Sequence, residues 1–105
     1  MGANPYRGAV ELCVNGKTLQ ARLSLGALAT LEEELGEEGL LPLIERFENG
    51  AFSTTDLIDL LFAGLTAEGW DGTKEALKSA EIEGGILVAA KVAGEMLALA
   101  FSPPK

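Results

Sequence analysis

The dipeptide Asn15-Gly16 constrains this chain more than any other feature. A two-residue loop of the type I′ kind needs positive φ at both central positions, and Asn followed by Gly adopts them at the least steric cost. Residues on either side alternate in polarity, so residues 8–23 are expected to form a β-hairpin. The loop length then sets the register. Leu12 falls opposite Leu19 and Val10 opposite Ala21 on an apolar face, while Glu11 meets Gln20 and Cys13 meets Thr18 on the other. A lone hairpin is marginal in water, so its apolar face has to pack on the rest of the chain.

From Ser24 onward the apolar pattern is helical in period. Ser24 can cap a helix through about residue 35, with Leu28, Leu31 and Leu35 on one stripe and Gly36 placed to end it. Glu32, Glu33, Glu34, Glu37 and Glu38 crowd that end, where the helix macrodipole disfavours negative charge. Two readings of the cluster stay open: a solvated, solubilising end, or an acidic patch for a basic partner segment. A second helix is expected from about residue 40 or 42 to 49, because Pro42 is tolerated in a first turn and Gly50 makes a stop. Leu43, Ile44 and Phe47 form its stripe. Ser53 with Asp56 three positions on reads as a capping box. The helix it opens carries Leu57, Ile58, Leu60, Leu61, Phe62, Ala63 and Leu65, apolar on most sides, and should be the central one.

Residues 69–72 have turn chemistry, Thr73 can cap a short helix, and a last helix is expected over 84–101 before a Pro103-Pro104 stop. Ala90, Gly94 and Ala98 in that last helix are spaced to admit another helix closely, either from the same chain or from a second copy. Leu28, Leu31, Phe47, Leu61 and Leu97 are expected in the core. The fold class is therefore α+β and mostly helical: an N-terminal β-hairpin followed by four to five packed α-helices. A single domain is expected over residues 1–105, with its ordered core at about 6–102.

Composition removes whole classes of function. The chain has no histidine, which excludes Ser/His and Cys/His catalysis and any zinc site with an imidazole ligand. None of its 13 glycines forms a phosphate-binding loop. Asp56 and Asp59 could pair as catalytic carboxylates, but acidic side chains are favoured in a helix's first turn for electrostatic reasons alone. No catalytic, cofactor-binding or metal-ligating residue is assigned, and the protein is not expected to be an enzyme.

Eight basic residues against 16 acidic ones give a net charge of −8, a field that repels nucleic acid and anionic lipid. The carboxylates are interleaved with an apolar helical pattern, which also argues against a DNA mimic. Cys13 is the only cysteine, so no intramolecular disulfide is available and a reducing cytoplasm is the simplest compartment. Residues 1–6 lack the pattern of a signal peptide, and Tyr6 stands where a myristoylation motif wants Ser or Thr. Lys91 and Glu95 interrupt the apolar stretch 84–101, which therefore reads as an amphipathic helix, not a membrane span. Binding to another protein is the work left over. Phe52 and Trp70, large aromatics in expected turns, are candidate anchors, with Glu33, Glu34, Glu37 and Glu38 as a candidate acidic contact. Any self-association is expected to be weak and to use helix faces, not Cys13.

Read as a whole, the chain resembles the small gene-transfer-agent family of phage tail proteins described as tail assembly chaperones. The run Leu19-Gln20-Ala21-Arg22-Leu23-Ser24-Leu25-Gly26-Ala27-Leu28-Ala29-Thr30-Leu31-Glu32 looks like the family's leucine-rich entry to its first helix. Leu43-Ile44-Glu45-Arg46-Phe47-Glu48-Asn49-Gly50-Ala51-Phe52 looks like its second signature, ahead of the Asp56-Leu57 helix and an Ala/Gly-rich last helix. The resemblance covers roughly residues 4–102. It implies a non-enzymatic phage, prophage or gene-transfer-agent protein acting in the bacterial cytoplasm during tail assembly, with the tape measure protein or the tail tube protein as partner. The alternative is a structural minor tube component retained in the particle. Tube subunits generally need extended strands, and one hairpin weighs toward the chaperone. An acidic inhibitor or toxin-neutralising module fits the charge but has no motif behind it.

Overall fold

The computed structural model describes residues 9–101. Expectations for residues 1–8 and 102–105, among them the N-terminal segment with Tyr6, the start of the hairpin at Gly8 and the Pro103-Pro104 stop, lie outside the described residues.

Strands β1 (Val10–Val14) and β2 (Lys17–Ala21) pair antiparallel in the expected register, Leu12 with Leu19 and Val10 with Ala21. Asn15 and Gly16 both take positive φ, 52° and 82°, as the tight turn requires. Among the described residues five helices follow, α1 (Leu25–Leu35), α2 (Leu41–Glu48), α3 (Thr54–Ala67), α4 (Lys74–Ser79) and α5 (Gly85–Phe101), with a 3₁₀ turn at Gly36–Glu38. The α+β fold of a hairpin followed by five helices is thus the expected one.

Helix starts follow from their caps. The hydroxyls of Ser24, Ser53 and Thr73 accept from the backbone N–H groups of Ala27, Asp56 and Ala76 at 3.0–3.1 Å. At Ser53 the box is reciprocal, since its own N–H donates to Asp56 Oδ2 at 2.9 Å. Gly36 ends α1 with φ 68°, a value a residue with a side chain adopts only under strain.

Helix α3 lies at the centre, packed against α1, α4, α5 and β2. Leu12, Leu31, Leu43, Leu60, Leu65 and Met96 are the largest fully buried side chains. Gly64 lets the hairpin and α5 reach α3, because a Cβ there would run into Met96 Sδ and lie 3.3 Å from the Ala21 methyl.

Three features depart from expectation. Leu31, Leu61 and Leu97 are buried, but Leu28 and Phe47 are only half-buried, as they lie at the edges of their stripes. A short extended segment joins the free edge of β1: Val14 bridges to Ile82, Asn15 N donates to Glu81 O at 2.8 Å, and Glu83 N donates to Cys13 O at 3.1 Å. Asn15 Oδ1 in turn accepts from Glu81 N at 2.8 Å, so this residue serves both the turn and the edge. The third is the small-residue run of α5. A Cβ on Gly94 would meet nothing within 4 Å and Ala98 is exposed, so no helix of the same chain packs closely over these two, although Ala90 is half-buried against the core.

Candidate functional site

The acidic cluster after α1 is divided by its neighbours. Glu34 pairs with Lys74 at 3.1 Å and Glu38 with Arg46 at 3.2 Å, so cations from α4 and α2 relieve the repulsion that the macrodipole imposes locally. Glu33 and Glu37 are exposed and make no ion pair among the described residues. Four candidate glutamates therefore become two bound and two open.

Both cations also serve α3. Arg46 grips Asp56 with two parallel bonds, Nε to Oδ2 at 2.7 Å and Nη2 to Oδ1 at 2.9 Å. Asp56 is 8% exposed, and hydrogen bonding from Arg46 outweighs burial and holds its carboxyl below the usual carboxylate range. Lys74 also pairs with Asp59 at 3.0 Å and lies 5.7 Å from the centre of the Phe62 ring. Burial works against its ammonium, but bonds to Asp59 and Glu34 prevail and raise its pKa. Asp56 and Asp59 are thus engaged in holding α2 and α4 to α3. Among the described residues no group of three or more His, Cys, Asp or Glu could hold a metal ion, and no helix is long and apolar enough to cross a membrane.

The two aromatic candidates are half-buried against rings of their own chain. Phe52 stacks on Phe47 with centroids 4.3 Å apart and planes 5° from parallel, and Trp70 stands edge-on to Phe62 at 6.3 Å and 80°. They flank opposite ends of α3, a helix of 14 residues and so about 20 Å long. They do not form one patch. Cys13 is half-buried, its thiol pushed up in pKa by a hydrogen bond to Glu83 and then by burial, which keeps thiolate scarce.

The large apolar side chains that sequence reasoning did not mark as surface lie on α5 and beside it. Leu87 is 81% exposed and Phe101 50%, and Leu25, Leu41, Ile86 and Leu99 are exposed as well. Between α2 and α5 runs an open groove of about 450 Å³, lined by Ile44, Phe47, Gly94, Leu97, Ala98 and Phe101 with Glu48 at its rim. The signal for it was present: α5, like α3, is apolar all round apart from Lys91 and Glu95, more than one core face can absorb.

Fold and surface together define a small acidic α+β domain whose open features are apolar helix faces, the kind of surface that engages other protein chains. The chain belongs to the family described as phage tail tube protein, GTA-gp10, whose model it matches over residues 7–103. The family is described as a structural tail protein, not as an enzyme, and it supports a role in phage or gene-transfer-agent tails. Its description names the tube where the sequence resemblance pointed first to an assembly chaperone, so the tube-component alternative is the better supported. Comparison with curated proteins and with solved structures gave no match.

Proposed function

We infer that this protein is a structural component of a phage-type tail, held at the tail tube by contacts with other tail proteins. The observation that carries this reading is the family match across residues 7–103, nearly the whole chain. Exposed apolar side chains on α5 supply surface for such contacts. Mass spectrometry of purified tails is the test. The chain in fixed stoichiometry with the tube subunit supports the reading, and its absence from finished tails defeats it.

A second reading has one observation in its favour. The sheet found among the described residues has only two strands, which suits a helper acting in the bacterial cytoplasm better than a subunit joined to its neighbours through sheets. In that role the chain would shield the tape measure protein or the tube protein before assembly and then leave. Phe52 and Trp70 are its candidate anchors, with exposed Glu33 and Glu37, and paired Glu34 and Glu38 nearby, offered to a basic segment. Co-expression of the tape measure protein with wild type, Phe52→Ala and Trp70→Ala, each checked for folding, distinguishes the roles of the two rings. A folded variant that loses the partner supports an anchor at that ring, and undiminished capture by both refutes it.

A further inference from the structure

On α5, residues Leu87, Ala90, Gly94, Ala98 and Phe101 recur at spacings of three and four and so share one face. Their own chain leaves much of this face open: Leu87 and Phe101 project into solvent, Ala98 is exposed, and a Cβ on Gly94 would meet nothing within 4 Å, while Ala90 is half-buried against the core. The face is small at its middle and large at its ends. Leu87 and Phe101 stand seven residues to either side of Gly94, about 10 Å each way along the axis.

The charges beside it choose the occupant. Lys91 and Glu95 flank the face on the same side, both exposed, and neither makes an ion pair among the described residues. Lys preceding Glu by four is the weaker polarity for a pair within one helix, which leaves both free to bond elsewhere. Across a parallel copy of the helix, the twofold would put the Lys91 and Glu95 of the two copies on opposite flanks of the seam, where they cannot pair. Across an antiparallel copy related by a twofold axis at the level of Gly94, Lys91 comes within about 3 Å of axial rise of the partner's Glu95. The symmetry supplies that pair twice.

We propose that the outer face of α5 is covered by a second copy of this chain, the two helices packing antiparallel about a twofold at Gly94. Small residues at the crossing let the backbones approach. The partner's Leu87 then lies level with Phe101 and enters the groove lined by Ile44, Phe47, Leu97 and Ala98, while Leu87 of the first copy enters the partner's groove. Each copy carries a net charge of −8, so the two ion pairs act against a background repulsion and the dimer is weak. The inference rests on the geometry of α5 and not on the tail role, so failure of either leaves the other standing.

The test uses charge exchange at the two flanking positions, read by sedimentation equilibrium, with circular dichroism confirming that each variant is folded. Wild type is expected to dimerise at high micromolar concentration. Lys91→Glu sets two like-charge pairs in its homodimer, as does Glu95→Lys, and each should weaken association by about tenfold or more. Mixing the two variants pairs every Glu with a Lys and should yield a heterodimer, and the double variant should recover the homodimer. Gly94→Phe should abolish the dimer without unfolding the chain, because the site is open in the monomer. A wild type that stays monomeric, a dimer indifferent to both single exchanges, or a mixture no stronger than its parts overturns the proposal.

Discussion

Replacing Asp56 by Asn tests whether one carboxylate joins α2 to α3. Its Oδ2 accepts from Ser53 N at 2.9 Å and from Arg46 Nε at 2.7 Å, and its Oδ1 accepts from Arg46 Nη2 at 2.9 Å. An amide oxygen can take the place of Oδ2 and keep two of these bonds, but its NH₂ then faces Nη2, donor against donor. The loss is one charge-assisted bond, about 1.5–3 kcal/mol. It is reduced because the Arg46 side chain is 28% exposed and keeps Glu38, which leaves an expected cost of about 1–2 kcal/mol. For a domain of this size that lowers Tm by roughly 4–8 °C per kcal/mol.

The pH dependence supplies the sharper check. Arg46 depresses the folded pKa of Asp56 below its unfolded value, near 3.9. The carboxylate's contribution is therefore fully present above the unfolded value and is lost as pH falls through the folded one. Urea unfolding followed by circular dichroism should show a constant gap between wild type and Asp56→Asn from neutral pH down to about 5, narrowing below about 4. A gap under about 0.5 kcal/mol at neutral pH, the range of ordinary surface changes, or one unchanged in strong acid, would refute the link.

Truncation of Leu31, fully buried between α1 and the core, should cost about 2–5 kcal/mol in urea unfolding, whereas Leu28→Ala, half-buried on the same helix, should cost distinctly less. Two glycines in helices should respond in opposite senses. Gly94→Ala gains helix propensity in open space and should stabilise by about 1 kcal/mol in thermal melts. Gly64→Ala drives a methyl into Met96 and toward Ala21, and should destabilise by about 1–3 kcal/mol despite the same propensity gain.

Much of this fold was legible because its determinants are local. The Asn15-Gly16 turn sets φ within two residues, and that turn fixes the register of both strands. Ser24, Ser53 and Thr73 each bond an N–H three positions on, so three helix starts are written in stretches of four residues. The tail family, too, was recognisable from packing patterns along the chain, although the particular role was not.

Tertiary structure decided what is joined across distance. Arg46 reaches Asp56 and Lys74 reaches Glu34 and Asp59 only because α2 and α4 dock on α3, and no spacing in the sequence announces those pairs. The segment at residues 81–83 pairs with β1 for the same reason, through backbone groups that any sequence carries. Above all, α5 is apolar on nearly every side, and a helix without a polar face gives its period no direction. Which side met the core was settled by where α3 and the hairpin lay, leaving Leu87, Gly94 and Phe101 on the side they do not reach.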